Sequence, residues 1–380
     1  MDEKYLDCKT PGQLIEAALK EKNWTQRVLA IVLAVDETGV NKIIADKRSI
    51  SAELALHLEE VLAVPAAQFL RLQAEFELAK ARIVAKPDPK RSTRAQLYAG
   101  LPVSEMIKRG WLDATDVRDT DRVEAELSRF FGVGRVEDIE VLPHAAKKTA
   151  VNTPATPAQI AWLNRVRQIA SEMIVPKYTE LAGRRAIERL HTLVSAAEEV
   201  RKVPRILAEA GIRFLLVESL PHAKIDGVCF WLNDYAPVIA LSMRHDRIDN
   251  FWFVLRHELE HVIQGDGKHG AIIDDLDGEG GSISESIPEE ERIANQAASE
   301  FCVPKKSMDS FIARKAPFFA ERDLLGMAAT IKVHPGLIAG QLQHRTGRYD
   351  RFRTHLVKVR ALVAPSAIVD GWGDVAPVGD

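Results

Sequence analysis

The apolar positions of this 380-residue chain fall into two patterns, and the change between them divides it. Over residues 10–82 they recur every three or four positions in short stretches broken by turn and capping residues, the signature of compact amphipathic helices. Thr25 can cap a helix beginning Gln26-Arg27-Val28-Leu29-Ala30, residues 34–36 make a turn, and Asp36 can cap a second helix over 37–46. The period of that second helix puts Val40, Ile43 and Ile44 inside and Glu37, Thr38, Asn41 and Lys42 outside. Residues 95–200 stay mostly helical, apart from a loop at 143–157. After Pro204 the pattern changes. A short helix over 204–210 is stopped by Gly211, residues 212–217 read as extended, and runs 227–231 and 237–241 flank Asn233-Asp234 as a hairpin. The expected fold class is therefore mainly α with a small β-sheet (α+β). It comprises an all-α helix-turn-helix domain at 1–85, a linker and helical connecting region at 86–200, and a mixed domain at 201–380. The proline-rich, basic stretch 86–94 reads as the linker.

Helical periodicity returns at 249–265, which reads DNFWFVLRHELEHVIQG in one-letter code. Asp249 can cap this helix and Gly265 can end it, while its apolar residues bury it. Residues four apart lie one above the other on a helix, so His257 and His261 face the same way. Two imidazoles at that spacing can take adjacent corners of a zinc tetrahedron, and Glu258 between them is placed to accept a proton from an attacking water. A catalytic zinc needs a third protein ligand and an open position. The next helical run, 288–304, starts with Pro288-Glu289-Glu290-Glu291 and ends at Pro304. Its face of Ile293, Ala294, Ala297, Ala298 and Phe301 is small enough to pack closely. Any of Glu289, Glu290 and Glu291 can supply the third ligand, Glu291 lying on the flank of that face, and Asn295 can hold a ligand in place from behind.

These segments resemble the ImmA/IrrE metallopeptidases. The resemblance lies in HELEH, in ERIANQAASEFCVP and in VHPGLIAGQLQH, which ends at His344. It implies a zincin-like peptidase domain with Zn2+ on His257, His261 and Glu291 and with Glu258 as general base. His334, in the VHPG motif, is a candidate oxyanion stabiliser. One departure is Glu260, where the family has a small residue; a carboxylate beside His261 bears on helix packing and zinc affinity.

The N-terminal helices are similar to the helix-turn-helix module of HigA-type antitoxins, from TPGQLIEAALKEKNWTQ through KRSISAELALHLEEVL to FLRLQAEFELAKAR. In a major groove the second helix would carry Thr38 and Asn41 toward bases, Asn41 reading adenine. Lys42 would reach guanine or phosphate, and Gln26, Lys47 and Arg48 the backbone. A single copy binds weakly, so a homodimer on a double-stranded operator is the expected unit. Residues 1–85, however, hold 11 Lys and Arg against 13 Asp and Glu, short of the basic footprint of most DNA-binding domains. Glu37 and Asp46 on the reading helix would also repel phosphate.

Composition narrows the setting. The net charge of −3 singles out no partner, and the cysteines, Cys8, Cys229 and Cys302, lack metal or disulfide spacing and read as free thiols of a reducing, cytoplasmic compartment. The polar first residues and the lack of a long apolar run argue against a signal peptide and a membrane partner. The resulting expectation is a DNA-binding zinc endopeptidase that cleaves a repressor protein and relieves repression of stress or mobile-element genes. The alternative is a HigA-like repressor or antitoxin whose C-terminal domain only senses. A protein-docking N-terminal module and a purely structural zinc site are further rivals.

Overall fold

Strands buried on both faces lose the alternation that marks a half-exposed sheet, and the runs 213–217, 227–231 and 237–241 of this chain are apolar almost throughout. In the computed structural model, which describes residues 5, 7–85, 90–139, 146–148, 155–268, 270–274 and 288–379, six strands form one sheet. They are β1 (Ala146–Lys148), β2 (Arg213–Val217), β3 (Gly227–Trp231), β4 (Pro237–Leu241), β5 (Ala271–Asp274) and β6 (Ile368–Asp370), in the order β1-β5-β3-β4-β2-β6. The 227–231 and 237–241 pair is antiparallel, with Gly227 opposite Leu241 and Trp231 opposite Pro237. Strands β2 and β4, β2 and β6, and β1 and β5 are parallel.

Alternate residues send their side chains to two separate cores. Phe214, Leu216, Cys229, Ile239 and Leu241 face one core, where they meet the motif helix, Ile248–Gln264. Leu215, Val217, Val228, Phe230, Val238, Ala240 and Ile273 face the other, where they meet Leu127, Trp162, Val166 and Ile169 from residues 90–172. The stretch read from sequence as a connecting region thus supplies the second layer of the mixed fold. Trp162 Nε1 donates to Val217 O at 3.1 Å, and buried Arg165 pairs with buried Asp370 at 2.6 Å, tying that layer to the sheet. The chain divides into two compact units, residues 1–89 and 90–380. Part of the expected linker is ordered otherwise: residues from Lys90 form a helix to Gly100, in which Arg94 pairs with Glu124 and Asp121. Residues 86–89, most of the expected 143–157 loop, and the acidic, glycine-rich 275–287 lie outside the described residues.

Residues 1–89 form helices Pro11–Glu21, Gln26–Val32, Glu37–Ile44, Ala52–Leu62 and Ala66–Val84. Thr10, Thr25, Asp36 and Ser51 each cap the helix that follows by accepting from a backbone N–H. Leu14, Ile15, Leu29, Val40, Leu58 and Phe69 build the core. The third helix ends at Ile44, not 46. Asp46 leaves it in a left-handed turn (φ 55°) and accepts from Gly12 N at 2.9 Å, so it serves the first helix and does not sit on the outward face of the third. A Cβ at Gly12 would overlap Ile44 O, so only glycine allows this close approach. Among the described residues, no helix is long and apolar enough to cross a membrane.

Candidate metal centre

Two helices bring the site together. The motif helix runs Ile248–Gln264 and ends at Gly265 in the left-handed conformation (φ 76°). Its N-cap position is held by Arg247 rather than the expected Asp249. Asp249 lies in the first turn, pairs with Arg247 at 2.5 Å, and packs where a Cβ on Gly340 would clash. The partner helix, Glu289–Cys302, follows Pro288, buries Ala294, Ala298 and Phe301, and packs against the motif helix, the Phe301 ring 6.0 Å from that of Trp252. Of its three leading acids, Glu289 and Glu290 are exposed, whereas Glu291 is completely buried. Its position in a helix first turn also favours a carboxylate.

His257, Glu258, His261 and Glu291 are all 0% exposed. His257 Nε2 lies 3.1 Å from His261 Nε2, and Glu291 reaches the two rings at 3.3 and 3.2 Å. The far side of each imidazole sets its proton. His257 Nδ1 donates to Asn295 Oδ1 at 3.1 Å, and His261 Nδ1 to the Asp266 carboxylate at 3.0 Å. Both Nε2 lone pairs therefore point inward, and two Nε2 atoms 3.1 Å apart cannot both carry protons. The Glu291 oxygens, buried beside them, receive no hydrogen bond. A buried carboxylate that accepts no hydrogen bond costs several kcal/mol unless a cation sits beside it. A zinc tetrahedron with ligand lengths of about 2.0–2.1 Å has edges of roughly 3.3 Å. His257 Nε2 and His261 Nε2 are 3.1 Å apart, and each faces a different Glu291 oxygen, Oε2 at 3.3 Å from the first and Oε1 at 3.2 Å from the second, so the donor set fits zinc. Among the described residues the group that could hold a metal ion consists of these three side chains.

Glu258 projects toward the sheet. A Cβ built at Gly227, the first residue of β3, would overlap its Oε1 and come within 2.8 Å of Val254. Gly227 is thus the floor on which the carboxylate rests, and it escaped the sequence reading, as did Asp266. The signal for Asp266 was local: it stands between Gly265 and Gly267, both at positive φ, in the turn that ends the motif helix. Trp231 Nε1 donates to Asp266 O at 2.8 Å, pinning that turn to β3. Glu260 turns away from the metal group. Arg256 Nη2 and Gln264 Nε2 each donate to it at 2.7 Å, a ladder along one flank of the helix. His334 caps the helix Pro335–Thr346, its Nδ1 accepting from Gly336 N at 3.0 Å; burial and the nearby His355 lower its pKa. It is not a member of the metal group.

In residues 1–89, Thr38, Asn41, Lys42, Lys47 and Arg48 are exposed and Gln26 is half-buried at the start of its helix. The preceding helix and turn show Val28, Ile31, Val32 and Val35 to solvent, Ile31 at 70%.

No curated protein matches the chain. Residues 208–346, which contain β2 to β5, both metal-site helices and the helix capped by His334, match the family model of the Peptidase M78 group, described as the IrrE N-terminal-like domain.

Proposed function

We propose that this protein is a zinc-dependent endopeptidase that cleaves a transcriptional repressor, with residues 1–85 acting as a helix-turn-helix that brings it to operator DNA. The observation that carries the peptidase reading is the convergence of the buried His257, His261 and Glu291, with the two Nε2 atoms 3.1 Å apart and each facing a Glu291 oxygen at 3.2–3.3 Å, in a group that could hold a metal ion. Zinc held there supplies Lewis acidity to the scissile carbonyl and makes water a nucleophile at neutral pH. Glu258 takes the proton from the attacking water and returns it to the leaving amine, and Gly227 fixes where it stands. Asn295 and Asp266 hold the two imidazoles in the tautomer that presents Nε2 inward.

A second reading of residues 1–85 is favoured by the exposed Val28, Ile31, Val32 and Val35, which suit a protein partner better than a phosphate backbone. On that reading the unit docks on the repressor itself. In the sensor alternative, zinc is bound and nothing is cut. Glu258→Gln separates these outcomes. It should retain zinc and DNA association and lose cleavage of a co-expressed repressor by about 10²–10⁴-fold. Cleavage that survives this substitution would overturn the mechanism, and a zinc-loaded native chain that cuts no repressor would favour the sensor.

A further inference from the structure

Five strands of the sheet come from residues 213 onward, while β1 comes from residues 146–148. Among the described residues, β5 would be an open edge without it, since its other neighbour is β3. In the chain, β5 lies between the two metal-site helices. The register fixes its height relative to the chemistry. Gly227, the floor under Glu258, pairs with Asp274 of β5, and Val228 pairs with Ile273. On the outer side Lys148 pairs with Ile273. The backbone of 146–148 therefore ends one residue short of the level of the Glu258 carboxylate, two strand spacings or roughly 10 Å from β3. That edge is where an extended polypeptide can join the sheet beside the metal site by strand addition. The opposite edge, β6, is separated from β3 by β4 and β2.

We infer that residues 146–148 occupy the substrate strand position on β5 and hold the site closed in cis, and that an extended polypeptide segment activates by taking their place. The inference rests on the peptidase reading. Two features suit a displaceable strand. The ladder has three residue pairs and runs parallel, the less stable arrangement. A parallel segment also runs opposite to one that would add antiparallel to β5, so its chain direction is the reverse of such a segment's. Covering an edge against aggregation is the competing explanation, and it requires no exchange.

The test uses the full-length zinc-loaded chain. Lys147→Pro with Lys148→Pro removes the ladder N–H groups whichever of the two residues faces β5. The probe is a labelled peptide of residues 143–150, Pro-His-Ala-Ala-Lys-Lys-Thr-Ala. Binding is measured in the Glu258→Gln background so that the probe is not consumed. A tethered segment competes at an effective concentration of roughly millimolar, so the proline variant should bind the probe about tenfold or more tightly than its parent. Hydrogen exchange at residues 272–274 should be faster in the variant and slowed again by the probe. With Glu258 intact, the variant should cleave an unfolded protein several-fold faster than the native chain. A ten-residue Gly/Ser insertion after residue 150 dilutes the tether without touching the strand and should shift binding in the same direction. Equal binding by all forms, or unchanged exchange at β5, would overturn the proposal. Probe exchange with no cleavage by any zinc-loaded form would instead sink the peptidase reading and leave the strand exchange standing.

Discussion

The metal centre and the outward face of the third helix were both read from sequence as functional, yet they differ in what completes them. His257, Glu258, His261 and Glu291 are 0% exposed, and each ring nitrogen of the two histidines has a partner within 3.3 Å. Thr38, Asn41, Lys42 and Arg48 are exposed, and their chemistry is finished only by something outside the chain. A buried polar cluster must be satisfied internally or by an ion, so its geometry alone identifies what is missing. An exposed polar face is satisfied by water and so identifies nothing by itself.

The largest effect expected from breaking this contrast is loss of zinc. Glu291→Ala should abolish about one equivalent of bound zinc. It should also lower the thermal stability of residues 90–380 by several degrees, since a tightly held ion contributes about 4 kcal/mol at a thousandfold excess over Kd. Chelation of the native chain should reproduce the shift and leave the melting of residues 1–89 where it was. Calorimetry in which both transitions move together would refute the internal character of the site.

Gly227→Ala sharpens the contrast between holding the metal and using it. A methyl group there displaces the Glu258 carboxylate but touches no metal donor, so zinc content should be native while turnover falls about 10²-fold. Metal analysis beside a peptidase assay decides it, and coupled loss of both would place Gly227 in the scaffold alone. Asp266→Asn acts more mildly, because an amide oxygen still accepts from His261 Nδ1 but brings no charge. Zinc affinity should drop about tenfold in a competition titration, the lower end of the range for such outer partners.

How legible these parts were in the sequence follows from whether the signal was local. The motif helix has its periodicity, its stop at Gly265 and its paired histidines within one run, and it forms over Ile248–Gln264. The Gly227–Trp231 and Pro237–Leu241 hairpin was equally readable from its turn, where Asn233 Oδ1 accepts from Tyr235 N. By contrast, β1 and β6 have three residues each, too few to show a period, and their register comes from strands far away in the chain. Asp249 resembled a cap by residue type, yet Arg247 and the close approach of Gly340 set its position. Gly227 was invisible for the same reason, and Asp266 for a different one. Gly227 acts through Glu258, which only the folded chain brings near, whereas Asp266 stands five residues after the histidine it holds and is filed as loop by a reading that stops the helix at Gly265.

The smallest expected effect tests the exposed side of the comparison. Asn41→Ala, Lys42→Ala and Arg48→Ala together remove outward-facing side chains from the third helix and the turn after it, so stability should change by no more than about 0.5 kcal/mol. Zinc content should be unchanged. If Lys42 and Arg48 meet phosphates, the slope of log K against log salt for operator DNA should become shallower by about 2, one for each lost contact. If Asn41 reads adenine, the preference for operator over random duplex should fall by about 1–3 kcal/mol. An unaltered slope and preference in a binding titration would move recognition away from this helix. The apolar flank of Val28, Ile31, Val32 and Val35 would then be the working surface of residues 1–89, with a protein as its partner.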